Sequence, residues 1–337
     1  MNLQFPPVIF GTSGLGNLFV ALDEDVKCEI VKEVFAHSKR PVFFDTAGKY
    51  GAGMALESLG KCLRKLQIKP EEVVISNKLA WVRTALKTAE PTFEPGVWRD
   101  LKYDAVQQIS YDGIMKCFDQ GNDLLGGYIP QLVSVHDPDE YLATAKNEAE
   151  GEKLYKDILE AYRALADLKN AGKVMAIGVG AKNWKSIEKI SRDADLDWVM
   201  IANSMTIKSH PKELLQFMET LKRKGVKIIN AAVFNAGFLT GGDYFNYKLM
   251  DPNLEENKAL FTWRNDFFQL CKEFNIKPAQ ACVQFALSAP GVVSIALSAD
   301  NPQRVKENIE MADIKVPDDF WKQMKAQELI NADYSYL

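Results

Sequence analysis

Short apolar runs alternate with longer stretches of helical periodicity from one end of the chain to the other, and no other feature limits its fold so strongly. The apolar runs fall at 8–11, 41–45, 73–78, 131–136, 174–180, 198–203, 226–233 and 292–297. Between them, apolar residues recur at three- and four-residue spacing over 25–38, 54–65, 105–120, 159–168 (after a charge-rich, solvated helix entrance at 146–156) and 212–224, then over 258–274 and 279–288. Pro278 suits the first position of one helix, and Asn301-Pro302 opens the last with a capping residue and a proline. Strands that alternate with helices pair in parallel. Eight such units favour a closed α/β barrel, the (β/α)₈ TIM barrel, with its active site at the C-terminal ends of the strands. An open doubly wound sheet is the competing architecture. No composition break marks a linker, so residues 1–337 read as a single domain with a C-terminal extension. After the third strand comes an irregular stretch, 81–103, with Pro91, Pro95, Gly96 and two tryptophans. It is too aromatic for disorder, and loops of that length in compact domains are often lids.

Composition removes several functions. With 47% hydrophobic residues the chain can bury a large core, and a net charge of −4 without a basic stripe argues against a nucleic-acid binder. The opening Met1-Asn2-Leu3-Gln4-Phe5-Pro6-Pro7 lacks the charged and apolar regions of a signal peptide, and no apolar run is long enough to span a membrane. Cys28, Cys62, Cys117, Cys271 and Cys282 are odd in number and lack CxxC spacing, which reads as packing thiols in a reducing compartment. A cytoplasmic monomer or homodimer is the expectation. His37, His136 and His210 are too widely separated to suggest a metal site.

Three consecutive apolar runs end abruptly on an ionisable group. Val42-Phe43-Phe44 delivers Asp45, with Tyr50 just beyond in a glycine-containing turn; Val73-Val74-Ile75-Ser76-Asn77 ends on Lys78; Leu132-Val133-Ser134-Val135 ends on His136. One such residue is unremarkable, but buried charges are costly unless paired, so three at neighbouring strand ends ask for a chemical explanation. An Asp–Lys pair satisfies both charges and sets a cation beside any phenol in reach. A cation favours the phenolate, and a phenol so tuned can exchange a proton with an alcohol or a developing alkoxide. No group here is an obvious nucleophile. The implied chemistry is carbonyl/alcohol interconversion with hydride carried by a cofactor.

In the contexts FFDTAGKYG, ISNKLAW and VSVHDPD, the residues Asp45, Tyr50, Lys78 and His136 resemble the catalytic tetrad of the aldo-keto reductase superfamily. The resemblance covers nearly the whole chain in the right order. It implies a nicotinamide dinucleotide bound extended without a Rossmann domain, and Tyr50 as general acid/base. The opening FGTSGLGN, the PTFEPGVWRDLKYD segment and NAAVFNAGFL look most like the branch that holds aldose and sugar 1-dehydrogenases and pyridoxal 4-dehydrogenase.

The same resemblance assigns cofactor positions. Gly11 and Thr12 place backbone near the nicotinamide, beside Asp45. Asn183, in a turn where glycine replaces the family's usual serine, and Asn203 would hold the carboxamide. Phe234, Asn235, Gly237 and Leu239 follow the seventh strand, where Ala231 replaces the tyrosine that relatives stack on the nicotinamide. Ser298, Asp300, Arg304, Glu307 and Asn308 match the adenosine-end motif. Leu297 stands where NADP-preferring relatives carry a lysine. A carboxylate at Asp300 repels a 2′-phosphate, which leans toward NAD, although Arg304 could clamp one. Trp81 and Trp98 could stack on a sugar or pyridine ring, alongside Tyr50 and His136 as substrate contacts.

These features predict an NAD(P)-dependent oxidoreductase acting on a sugar or small aldehyde or alcohol, in the first place an aldose 1-dehydrogenase. A general carbonyl reductase, a pyridoxal dehydrogenase and a non-catalytic NAD(P)-binding subunit are the alternatives. A barrel glycosidase lacks a second strand-end carboxylate.

Overall fold

In the computed structural model, which describes residues 4–337, the strands expected from the apolar runs are β1 (Val8–Gly11), β2 (Val42–Ala47), β3 (Val73–Leu79), β4 (Leu132–His136), β5 (Ala176–Ala181), β6 (Trp198–Ala202), β7 (Lys227–Ala231) and β8 (Val292–Ser298). Residues 1–3, part of the opening stretch read above as lacking a leader, lie outside the described residues. The strands close into a barrel in the order β1-β8-β7-β6-β5-β4-β3-β2. Parallel pairing sets Asp45 opposite Gly11 and Ser76, Lys78 opposite Ala47 and Ser134, and His136 opposite Gly180. Every residue of β2, β3, β4 and β5 is buried, because helices cover the outer face while side chains fill the inner one.

The helices are α1 (Glu24–His37), α2 (Met54–Lys65), α3 (Tyr111–Leu125), α4 (Glu148–Asn170), α5 (Trp184–Asp193), α6 (Lys212–Arg223), α7 (Glu255–Glu273), α8 (Pro278–Ser288), α9 (Gln303–Glu310) and α10 (Asp318–Ala326). In α2 the residues Ala55, Leu56, Leu59 and Leu63 form the buried stripe that the sequence periodicity requires. The capping role of Asn301 holds in kind: its side chain accepts the Gln303 amide at 2.9 Å. Contacts group the chain into two compact units, Met1–Met200 with Ala296–Ile309, and Ile201–Ile295 with Glu310–Leu337. No helix among the described residues is long and apolar enough to cross a membrane.

Four expectations are corrected. The stretch 81–103 is not wholly irregular, and the helix expected at 105–120 starts later. Trp81–Ala85 and Tyr103–Gln107 pair as an antiparallel ribbon, which takes residues 103–107 out of the helix. Ser110 then caps α3, its side chain accepting the Gly113 amide at 3.0 Å. Helix α5 was not foreseen between the fifth and sixth strands. Asn183 caps it by accepting the Lys185 amide, and only Ile187 and Ile190 are buried, too thin a stripe to stand out in the sequence. The thiols are not all reduced: Cys28 in α1 and Cys62 in α2 form a disulfide, while Cys117, Cys271 and Cys282 are free and buried. The two half-cystines lie 34 residues apart on separate helices, so only tertiary packing reveals the pair. Tyr334 is buried in the second unit, stacked on Phe285 with ring centroids 4.5 Å apart and hydrogen-bonded to Ser288 at 2.8 Å.

Candidate active site

Along a barrel strand every second side chain faces inward, so Asp45 and Ala47, Ser76 and Lys78, and Ser134 and His136 share the inner face of β2, β3 and β4. The Lys78 ammonium donates to Asp45 Oδ2 at 2.5 Å and to the Thr46 carbonyl at 3.2 Å, while Ser76 Oγ donates to Asp45 Oδ1 at 3.2 Å. The pair is almost fully enclosed. Burial pushes the Asp45 carboxyl above its ordinary pKa, with the Lys78 ammonium pulling against it. On β5, two strands away, Gly180 leaves room for this lysine: a Cβ there would sit 2.9 Å from Lys78 Cδ.

Tyr50 enters from the turn after β2. Its amide donates to the Ala47 carbonyl at 3.1 Å, and Gly51 adopts φ +60° directly after it. Gly16 lies against the same turn, where a Cβ would come 2.8 Å from the Tyr50 carbonyl carbon. That contact accounts for part of the glycine run FGTSGLGN. The Lys78 ammonium sits 4.6 Å from the Tyr50 ring centroid, and the His136 ring meets it edge-on at 5.7 Å. The structure therefore brings Asp45, Tyr50, Lys78 and His136 together. Burial, then Lys78 and Lys49, hold the His136 imidazole well below its ordinary 6.5, so the ring is neutral near pH 7. Its Nδ1 is buried without a partner among the described residues, which leaves one hydrogen bond to give or take.

A second charged cluster, which the sequence reading missed, borders the first. The Lys49 ammonium is buried with Asp137 Oδ2 at 2.7 Å, Glu94 Oε1 at 2.8 Å and Glu140 Oε2 at 2.9 Å, and it lies 4.8 Å from the Trp81 ring centroid. Burial disfavours that charge, but Asp137, Glu94 and Glu140 outweigh it and raise the pKa above the ordinary lysine value. Asp137 Oδ2 also lies 3.6 Å from His136 Nε2. Lys182 bonds Glu140 Oε1 at 2.5 Å, and the amides of Lys182 and Asn183 both donate to Asp139 Oδ2. The signal available in the sequence was the crowding of Asp137, Asp139 and Glu140 directly after His136, which demands nearby cations.

Trp98 is buried against the site, 5.7 Å from the Tyr50 ring, and Phe93 links it to Trp81 through centroid distances of 6.5 and 5.8 Å. The expected cofactor positions distribute as follows. In the first unit, Thr12 is buried with its hydroxyl donating to the Asp45 carbonyl at 3.1 Å, one residue after Gly11. Asn183 is exposed at the head of α5. The adenosine-end motif forms an exposed turn in which Asn308 donates to the Ser298 carbonyl at 3.1 Å and Asp300 lies 3.6 Å from Arg304, with Glu307 on the intervening helix α9. In the second unit, Asn203 is buried, and its side-chain oxygen lacks a partner among the described residues. Asn235 donates to Asn246 at 2.8 Å and reaches the Asn203 carbonyl at 3.5 Å. Phe234 accepts the amides of Gly237 and Leu239, and Leu239 is fully buried.

A model of the family described as aldo/keto reductase matches residues 7–328. The chain is 28% identical to pyridoxal 4-dehydrogenase from Microbacterium luteolum over 333 residues, 95% of this chain and 93% of the relative. It is 24% identical to D-threo-aldose 1-dehydrogenase from a Pseudomonas species over 341 residues, 98% and 96% of the two chains. Among solved structures, a glycerol dehydrogenase from Gluconobacter oxydans superposes with a TM-score of 0.69 at 16% identity, covering 100% of this chain and 97% of the other. That last likeness supports the barrel and nothing finer.

Proposed function

This chain is a member of the aldo/keto reductase family, and from that premise we propose that it is an NAD(P)-dependent aldose 1-dehydrogenase, oxidising a free sugar to its lactone. Membership makes it an NAD(P)-dependent oxidoreductase acting on a small molecule. The hydride-transfer chemistry is carried by one observation, a Tyr50 ring packed against both the paired Lys78 ammonium and the neutral His136 imidazole; the aldose reading is supported by the 24% identity to D-threo-aldose 1-dehydrogenase.

When bound, the nicotinamide dinucleotide supplies the hydride acceptor or donor. The residues present fit such a group. In the first unit, Ser298, Asp300, Arg304, Glu307 and Asn308 form a polar turn suited to an adenosine, and Asn183 and the Gly11–Thr12 backbone offer polar groups for the other end. Asp300 lies 3.6 Å from Arg304 and partly neutralises its guanidinium, which favours NAD.

Tyr50 takes the proton of the anomeric hydroxyl as that carbon is oxidised, and returns it in the reverse direction. The Lys78 ammonium stabilises the negative charge that develops on the phenol oxygen, and Asp45 fixes Lys78 in place. His136, uncharged, uses its remaining hydrogen bond to orient the reacting oxygen. Trp98 and Trp81 offer aromatic faces to a ring. The same wall suits a pyridine ring, and the 28% identity to pyridoxal 4-dehydrogenase makes pyridoxal the second substrate to consider. We further propose that the chain acts as one cytoplasmic barrel domain.

The test is a panel of fucose, arabinose, galactose and pyridoxal, each with NAD⁺ and with NADP⁺, followed at the absorbance of the reduced nicotinamide. The reading expects turnover of at least one aldose, faster with NAD⁺. Oxidation of pyridoxal alone moves the assignment to the second substrate, and silence on the whole panel overturns both.

A further inference from the structure

The segment between the two ribbon strands is tied down beside Tyr50 by one carboxylate. Glu94 uses both oxygens: Oε1 lies 2.8 Å from the Lys49 ammonium, and Oε2 accepts the Trp98 indole N–H at 2.7 Å. Lys49 is the residue directly before Tyr50, and the Trp98 ring lies against the Tyr50 ring. Glu94 therefore joins the backbone neighbour of the phenol to the aromatic side chain that faces it.

Several further contacts orient this arrangement. Trp98 and Phe93 are buried with Ala52 and Ala105, and Tyr50, Trp81, Leu18, Val97 and Leu101 pack on the same cluster. The Phe19 amide donates to the Val97 carbonyl at 2.8 Å, and the Arg99 amide to the Asn17 carbonyl at 3.0 Å, so the segment is stitched to the loop after β1 on either side of Trp98. Glu94 itself holds φ +43°, a backbone region that a non-glycine residue keeps only where surrounding contacts impose it. Its side chain stays 28% exposed while both of its partners are buried, so the joint sits at the solvent edge, where it can open without dismantling the core. Lys49 has Asp137 and Glu140 to retain it if Glu94 lets go. Trp98 has a single indole N–H to give, and Glu94 takes it.

We propose that Glu94 is a positioning residue for substrate binding: by coupling Lys49 to the Trp98 indole, it fixes an aromatic wall beside Tyr50 that selects substrates presenting a flat or apolar ring face. The inference rests on the assignment of Tyr50 as the acid/base and names what that site prefers. A ring stacked on Trp98 gains contact in ground state and transition state alike, so loosening the wall weakens binding without slowing the chemistry.

The experiment compares the full-length protein with Glu94→Ala and Glu94→Gln. Two readouts are taken: kcat and KM for a ring substrate from the panel and for a small acyclic aldehyde, and acrylamide quenching of Trp98 emission, isolated by subtracting a Trp98→Phe protein. In Glu94→Ala the ring substrate should show a KM raised about tenfold with kcat within about twofold, while the acyclic aldehyde changes little. Quenching of Trp98 should rise. Glu94→Gln, whose amide oxygen still accepts the indole N–H, should recover much of both. Unchanged Trp98 quenching in Glu94→Ala overturns the proposal, as does a kcat loss at constant KM. Quenching needs no turnover, so a wild-type protein silent on every substrate, yet with Trp98 loosened in Glu94→Ala, would overturn the Tyr50 assignment and leave the Glu94 joint standing.

Discussion

Lys78 and Lys49 are both buried, both lie over an aromatic ring, and both sit beside Tyr50, yet they are held in opposite ways. Lys78 faces a single carboxylate, Asp45, and turns its ammonium toward the Tyr50 ring. Lys49 is surrounded by Asp137, Glu94 and Glu140. A cation with one counter-charge keeps more positive potential for a charge that develops during reaction than a cation with three. In the proposed mechanism the first lysine serves the chemistry, and the second the frame that the chemistry is mounted on.

The sharpest way to break that comparison is to remove each ammonium. Lys78→Met should lower kcat by about 10² to 10⁴, the range for losing support of a general acid/base, as steady-state kinetics on the active aldose would show. Lys49→Met should act mainly on stability, costing about 3–5 kcal/mol by denaturant titration because the buried Asp137 carboxylate loses its partner, with a much smaller change in kcat. The reverse assignment of effects would dissolve the distinction.

A smaller effect tests the adenosine turn. Asp300→Ser should improve use of NADP⁺ relative to NAD⁺ by about tenfold in kcat/KM, since Arg304 then faces a phosphate without competition. No change in that ratio would remove Asp300 from cofactor choice.

A pH titration reaches both units separately. Burial holds His136 in the first unit, and His210 in the second, below the ordinary 6.5. The unfolded chain then binds protons that the folded chain refuses, so stability is fully present above about pH 6.5 and falls as the pH drops below it. His210 Nε2 accepts the Asn331 amide at 3.0 Å, and protonation removes that acceptor. Thermal melts should show Tm falling between pH 7 and pH 5, with His210→Gln showing a shallower fall. An equal slope in that variant would mean His210 plays no part.

The disulfide offers a test remote from the site. Cys28→Ser should lower stability by about 2–4 kcal/mol in non-reducing buffer and leave the aldose KM unchanged, because α1 and α2 carry none of the site side chains. Identical melts for the two proteins would mean the cross-link contributes nothing.

The contrast between the lysines is also a contrast in legibility. Lys78 could be found because it interrupts an apolar run at its last turn of alternation, and Asp45 and His136 do the same on strands that pair directly with its own. Such local breaks survive without any knowledge of tertiary structure. Lys49 sits in a turn, and its partners come from the loop at Glu94 and from the start of the short helix Pro138–Leu142 (Asp137 as its cap, and Glu140), which no periodicity marks. The ribbon of 81–85 and 103–107 was hidden for a related reason. Ala105, Val106 and Gln107 are compatible with a helix, and only pairing with Val82 and its neighbours makes them a strand. Likewise, the buried place of Tyr334 depends on Phe285 and Ser288, about fifty residues away in sequence.

The most direct test of the central claim is the Tyr50→Phe protein, assayed for turnover of the active aldose and, by fluorescence titration, for binding of the dinucleotide. Turnover reduced by at least about 10², with the dinucleotide bound as tightly as by the parent, is the result the phenol's role requires. Turnover near that of the parent would contradict it.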